Sequence, residues 1–312
     1  MTGNYKYIAV GLLFSLLITA CSKDGADGND VSKPNEGKKE IGLKTDVWKM
    51  AEATRGTTYD NTTLQSGGFT VYAYTAESTT PYIDNKTVSY EAPSWIITGR
   101  PYYWPAYNLD FFAYAPSSGS CITTGPTYSY SGGQHVAFTC SSLAVTSSAQ
   151  SSITEFVYAL AANQNEGNAG ATGVALNFVH PFSLVKLQLA ENHPDIRINS
   201  ITFRTVNNTG SYDNGWTLRS GSENLEWTIN ADFENNTSAK PIGDSFLVIP
   251  QNWGGEIVVN ADCLYWGEKK NYPSLTTTVP TDWEPGHSYT YTFNISPDDL
   301  KVETKNTFTE QW

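Results

Sequence analysis

The chain has 312 residues and a formal net charge of −12, room for one large or two medium domains at about 100–200 residues each. Charged residues are 16% of it and aromatic residues 13%, with 19 Tyr and 9 Trp, a composition that suits pleated strands and exposed loops rather than long helices. Basic clusters are no longer than Lys38-Lys39 and Lys269-Lys270, which argues against nucleic acid or an anionic membrane surface as a partner.

The first element is the apolar run Ile8 to Ile18, with Lys6 the only charged side chain among residues 1–20. It has the length of a signal-peptide core and falls short of the roughly 20 residues that a spanning helix needs. Ile18-Thr19-Ala20 leads directly into Cys21, an arrangement that resembles the lipobox of bacterial lipoproteins. On that reading residues 1–20 are a signal peptide that is removed, and Cys21 takes a diacylglycerol thioether and becomes the new N-terminus. Residues 21–40 are rich in Gly, Asp, Asn and Lys with a single Val, so they read as a solvated linker with too little apolar surface to fold. Their opening Ser22-Lys23-Asp24 resembles the short charged signal that routes some lipoproteins of anaerobic Gram-negative bacteria to the outer face of the outer membrane.

From residue 41 the apolar pattern has period two. Phe69, Val71 and Ala73 share one face and Thr70, Tyr72 and Tyr74 the other; Leu109, Phe111 and Ala113 oppose Asp110, Phe112 and Tyr114; Tyr289, Tyr291, Phe293 and Ile295 alternate with Ser288, Thr290, Thr292 and Asn294. These are antiparallel strands, some with one solvated face. No ten-residue segment after the signal has convincing helical periodicity; the nearest is Ile153 to Ala162, short enough to be a strand. Parity changes between Phe178 and Val185, and between Ile198 and Ile201, predict a bulge or sharp bend. The pattern implies an all-β sandwich or a pair of them. The Gly/Asn/Ala-rich stretch Asn163 to Thr172 separates two halves, placed at residues 41–165 and 166–312.

Little in the chain points to catalysis. His135, His180, His193 and His287 are scattered without metal-ligand spacing, and nucleophile-elbow, phosphate-loop and dinucleotide motifs are absent. Neither a catalytic site, a metal nor a cofactor is expected. Export permits disulfides, and Cys121 with Cys140 would close a short loop around a hairpin. Cys263 is in phase with Ile257, Val259, Ala261 and Tyr265 and reads as a small buried apolar residue. Tyr102-Tyr103-Trp104 could form a sugar-stacking platform, though plugging the end of a sandwich core is the favoured role.

The order of several short pieces resembles the fimbrillin family, surface lipoproteins that build or decorate type V pili. The pieces are the lipobox at Cys21, Ala53-Thr54-Arg55-Gly56, FTVYAY from Phe69, YYWP from Tyr102 followed by LDFFAYAP, VALNFVHPFSLVKLQL with IRINSITFRTVNNTGSY, FLVIPQNW from Phe246 and WEPGHSYTYTFNI from Trp283. The resemblance covers nearly all of residues 41–312.

It implies two consecutive transthyretin-like antiparallel β-sandwich domains and a non-enzymatic subunit acting in cell adhesion at the outer membrane. Its partners would be other pilin subunits, in a homo- or heteropolymer, with host or bacterial surfaces as further ligands. In the structural pilins of this family an arginine-specific protease removes the first strand, and an extended segment of a neighbouring subunit fills the groove. Arg55 and Gly56 match the processing position, and Ile41, Leu43, Thr45 and Val47 ahead of them share one phase; an uncut ordinary first strand is the alternative. At the other end, residues 301–312 place Val302, Phe308 and Trp312 on one face, as a donor strand or as a closing strand of their own domain. A glycan-binding surface lipoprotein using Tyr102, Tyr103 and Trp104 is the second functional reading.

Overall fold

The computed structural model describes residues 37–47, 59–75, 78, 80–129, 134–141, 143, 154–191, 196–219, 223–233, 238–243, 245–265, 268–296 and 299–307. Up to the middle of the chain they form β1 (Leu43–Val47), α1 (Asn61–Gly67), β2 (Phe69–Thr75), β3 (Ile83–Glu91), β4 (Ser94–Ile97), β5 (Leu109–Ala115), β6 (Ile122–Ser129), β7 (His135–Cys140) and β8 (Val157–Gln164). Then follow α2 (Glu166–Ala169), β9 (Val174–Phe178), β10 (Ser183–Leu189), β11 (Ile196–Val206), β12 (Gly210–Asp213), β13 (Trp216–Leu218), β14 (Glu223–Phe233), β15 (Lys240–Pro241), β16 (Phe246–Val248), β17 (Asn252–Trp253), β18 (Glu256–Tyr265), β19 (Glu268–Thr278), β20 (Thr281–Asp282), β21 (Ser288–Ser296) and β22 (Asp299–Thr307). The fold is all-β and mainly antiparallel, as the alternation demands; parallel pairing enters where β1 lies on β9 and where β10 lies on β21.

Two sandwich bodies follow from where each strand buries its apolar parity. In the first, the antiparallel sheet β4-β3-β2-β5-β8 turns Phe69, Val71, Ala73, Leu109, Phe111 and Ala113 inward against Leu43, Val47, Leu176 and Phe178 of the β1–β9 pair. Val174, Leu176 and Phe178 thus join the first core although they follow the Gly/Asn-rich stretch. In the second, the sheet β14-β11-β18-β19 packs on one built from β15, β10, β21 and β22, with β16 also on β10. Its core centres on Phe203, Trp253, Trp283 and Tyr291. Trp253 and Trp283 stack at 5.0 Å. Their indole N–H groups donate to the Arg204 carbonyl and the Tyr291 hydroxyl at 2.7 and 2.9 Å, so these large rings are buried with their polar atoms satisfied.

The parity change at Ile198 is a bulge: β11 shifts register between Ile198 and Ser200 against both β14 and β18. That extra residue lets Ile196 and Ile198 share the core with Ile201 and Phe203. The change after Phe178 is a passage from β9 to β10 in a different sheet. Within the stretch Ile153 to Ala162, residues 157–162 lie in strand β8.

Where the sequence leaves some strands one solvated face, β5 has none: all seven of its residues are buried. The sheet β13-β12-β7-β6 covers the second face and forms a third core with Phe112, Tyr114, Phe138, Phe156 and Tyr212. Stacked rings fill it, Tyr74 on Tyr128 at 4.5 Å and Phe138 on Tyr212 at 4.7 Å. Because β12 pairs with β7 through Tyr212 and Phe138, this sheet joins strands from both halves of the chain.

Helices are present as well, each shorter than the window in which helical periodicity can be read. In α1 the Asp60 side chain accepts the Thr63 N–H at 2.7 Å, and Gly68 closes the turn with φ +69°, a standard pair of end signals. Leu64 anchors it in the first core.

Cys121 and Cys140 are disulfide-bonded, with Cα atoms 5.2 Å apart and a sequence separation of 19. The bond ties the start of β6 to the end of β7 beneath the third core. Replacing both cysteines by serine is expected to lower unfolding free energy by about 2–4 kcal/mol, the usual effect of opening a loop of this size. Urea unfolding with and without reductant checks it, since reduction must move the native protein by the same amount and leave the variant unmoved.

Candidate functional site

The segment that ends in β1 carries Ile41, Leu43 and Val47 on one parity, exposed by only 4%, 6% and 1%, while Lys44 and Asp46 point out to solvent. Its parallel ladder on β9 runs from Leu43 opposite Val174 to Val47 opposite Phe178. Hydrogen bonds clamp both ends. Ahead of the ladder, Ile41 N–H donates to the Tyr102 carbonyl at 2.7 Å, the Lys39 carbonyl accepts from Trp104 N–H at 3.1 Å, and the Gly42 carbonyl accepts from Val174 N–H at 2.9 Å. Beyond it, Val47 N–H donates to Asn61 Oδ1 at 2.9 Å, and Asn61 Nδ2 donates to Asp46 Oδ1 at 3.2 Å. The result is a groove in the first sandwich occupied by the chain's own first strand.

Gly173 sets how deeply that strand lies. Its φ is +90°, and a Cβ placed there would sit 2.2 Å from the Gly42 carbonyl carbon, so any side chain at this position meets both backbone strain and a clash. An open cleft of about 790 Å³ runs beside β1, bordered by Lys44, Asn61, Tyr90, Trp95 and Trp104, which leaves the outer side of the strand accessible.

A buried polar contact sits where the chain returns to the body after β1. The side chains of Glu155 and His180 are both fully buried, with His180 Nδ1 and Glu155 Oε1 2.7 Å apart, and Glu155 Oε2 accepts the Tyr59 N–H at 3.1 Å. A buried carboxylate demands such partners, and this one ties Tyr59, just ahead of the α1 N-cap, to the approach to β8 and the exit from β9. Burial, then the neighbouring charge of Glu155, pushes the Tyr59 hydroxyl up to about 12. Glu155, His180, Asn61 and Gly173 were all missed by motif reading. The only signal in their favour is a His-Pro pair and an Asp-Asn N-cap, both too common to single out.

Of the residues singled out in sequence, Cys21, Arg55, Gly56, Phe308 and Trp312 lie outside the described residues. Val302 is in β22, which pairs antiparallel with β21 opposite Phe293, so the backbone of residues 299–307 closes its own sheet as an edge strand. Tyr102 and Tyr103 are half-buried. Trp104 is 5% exposed and packs edge-on against Phe111, and it belongs to the first core. Cys263 lies in β18 opposite Ile196. Among the described residues no helix is long and apolar enough to cross a membrane, and no three His, Cys, Asp or Glu side chains come together as metal ligands.

Gly173→Val is expected to destabilise the seated strand by about 2–4 kcal/mol, the range for a side chain forced into an incompatible backbone conformation. Hydrogen exchange at Leu43 to Val47 should accelerate well beyond that in β21. The Tyr59 hydroxyl has a folded pKa of about 12 against an ordinary 10.0, so the stability it contributes is complete below pH 10 and is lost as pH rises from 10 towards 12. Urea midpoints followed over that interval should therefore fall less steeply for Tyr59→Phe than for the parent.

Comparison with known proteins places this architecture. The chain resembles a fimbrial protein from Bacteroides vulgatus, with TM-score 0.61 and 14% identity over 86% of this chain and 99% of that one. It also resembles two candidate cell adhesion proteins. One is from Bacteroides ovatus, with TM-score 0.53 and 15% identity over 88% of this chain and 99% of the other. The second, from Bacteroides uniformis, has TM-score 0.50 and 15% identity, covering 85% and 97%. At such identities these likenesses speak for the fold alone. No curated protein matches. The fimbrillin-like family matches residues 54–312, most of the chain and every strand after β1, and the protein therefore belongs to the fimbrillin-like family.

Proposed function

We propose that the protein is a structural or accessory subunit of a type V pilus, exported, lipidated on Cys21, displayed on the outer face of the outer membrane, and assembled by strand exchange to serve cell adhesion. The observation that carries this reading is the seat of the first strand. Residues 39–47 fill a groove with three buried apolar side chains and hydrogen bonds at both ends, and the next arginine in the sequence is Arg55.

Cleavage between Arg55 and Gly56 would leave that strand held only by non-covalent contacts. A competing extended segment could then replace it: main-chain hydrogen bonds to β9 would supply affinity and the places of Ile41, Leu43 and Val47 would supply selectivity. Tyr59, pinned by Glu155, and α1 lie on the far side of the cut and would stay with the body. Residues 301–312 are the candidate donor, and β22, an edge strand hydrogen-bonded to one neighbour, is the piece that would detach. We read the two sandwiches as consecutive domains, and the membership of Val174, Leu176 and Phe178 in the first core favours a break after β9 over one at residue 165. The burial of Trp104 counts against the glycan-platform reading.

Electron microscopy of cells carrying a tagged copy tests the proposal. The parent protein should label filaments, and Arg55→Ala should remain on the cell envelope with no filament labelling. Equal filament labelling by both would refute the processing step, and a Cys21→Ala protein that still fractionates with the outer membrane would refute the lipid anchor.

A further inference from the structure

We infer that the strand this groove takes up during assembly comes from a different polypeptide and not from residues 298–312 of a second copy of this chain. The inference rests on the strand-exchange reading above and concerns which partner the same groove selects.

Three places in the groove exclude water, those of Ile41, Leu43 and Val47, and an occupant that reproduces the β1 pairing must offer apolar side chains at positions spaced i, i+2 and i+6. A further preference is polar. The Asn61 Oδ1 accepts the backbone N–H of the residue at place 47, a group that any non-proline occupant brings. Its Nδ2 then faces the residue at place 46, where it now donates to Asp46. That contact lies at the exposed rim of the groove, where water can also pair the amide, so an acceptor at place 46 is favoured over a second donor while the three buried places carry the selection.

No register of residues 298–312 meets these demands. Its odd-numbered residues, Asp299, Lys301, Glu303, Lys305, Thr307, Thr309 and Gln311, are all polar, which leaves only the even parity for the buried places. Leu300, Val302 and Asn306 in the places of Ile41, Leu43 and Val47 put an amide in a fully closed apolar site, and the same register sets the Lys305 ammonium against Asn61 Nδ2. Sliding by two residues gives Val302, Thr304 and Phe308, which puts a hydroxyl where Leu43 packs and a phenyl ring where Val47 is 1% exposed, an overpacked site. Registers one step further either way bring Asp298 into the place of Ile41, or Thr304, Asn306 and Glu310 into all three. The last, Asn306, Phe308 and Trp312, buries an amide at the first place and an indole at the third. The chain can thus receive a strand that its own residues 298–312 do not supply, so the partner is a subunit whose free segment reads apolar-x-apolar-x-x-acceptor-apolar.

Peptide exchange into the full mature chain, nicked after Arg55 by an arginine-specific protease, tests this. A labelled peptide of residues 39–48 should enter the groove, and one of residues 298–307 should bind at least about tenfold more weakly, the factor expected for one unpaired buried polar group. The second peptide carrying Lys305→Asp with Asn306→Val should recover most of that difference. Equal binding by the two natural peptides, or no gain from the double substitution, overturns the partner assignment while leaving strand exchange intact. Failure of the 39–48 peptide itself to enter the nicked protein overturns the strand-exchange reading and the inference with it.

Discussion

The close passage of Gly42 over Gly173 is the constraint on which the functional end of this molecule depends. With φ +90° at Gly173 and no room for a Cβ, the two backbones can lie near enough for Val174 N–H to reach the Gly42 carbonyl. Once that contact is made, the parity of the strand is decided. Leu43 and Val47 must face the core, Lys44 and Asp46 must face water, and the ladder to β9 must be parallel. The same contact explains why residues distant in sequence, Tyr102, Trp104 and Asn61, can clamp the strand at its ends: each sits within hydrogen-bonding reach only if the strand lies at this depth.

The body that holds the groove is stiffened by an arrangement uncommon for a sandwich sheet, burial on both faces. One face of β5 builds the first core with β1 and β9, and the other builds the third core beneath β6, β7, β12 and β13. Aromatic rings suit this second layer because they fill area with few rotatable bonds and stack in offset or edge-on geometry. Their hydroxyls pair within it, as Tyr158 and Tyr212 do at 2.7 Å. Since β12 and β13 reach this layer from the second half of the chain, the two sandwiches share a covering sheet as well as a linker. On the proposed strand exchange, a groove that empties and refills needs such a rigid frame, because its three apolar places stay complementary only if the surrounding sheets do not close over them.

Much of the fold was legible in the residues. Alternation identifies β2, β5, β9 and β21, and the parity break at Ile198 marks a true bulge, because a period of two leaves no other way to keep Ile196 and Phe203 in one core. The phase of Ile41, Leu43 and Val47 is likewise visible before any coordinates. Other features were not legible. The parity of Tyr72, Phe112 and Tyr114 gives no hint of whether a face is solvated, since tyrosine is at home in either setting and the covering strands lie as far along the chain as Trp216–Leu218. His180 reads as one of four scattered histidines and Glu155 belongs to no motif, because their pairing depends on the return of β8 and β9 to one place, and no spacing along the chain encodes it. The helix α1 escaped because at seven residues it completes too few turns to show a period.

By itself the sequence determined the class of the fold, the inward parity of most strands and a family resemblance that the match over residues 54–312 bears out. These are local or patterned properties, set by the two-residue repeat of a pleated strand and by short runs of side-chain type. Only the tertiary structure decided that the first strand lies parallel on β9, that Trp104 is core, that β5 is covered on both sides, and that residues 299–307 close their own sheet. Each of these depends on which strand edges meet, and edge pairing is governed by backbone hydrogen bonds that every residue except proline can make. Side-chain letters leave it open until the whole chain has packed.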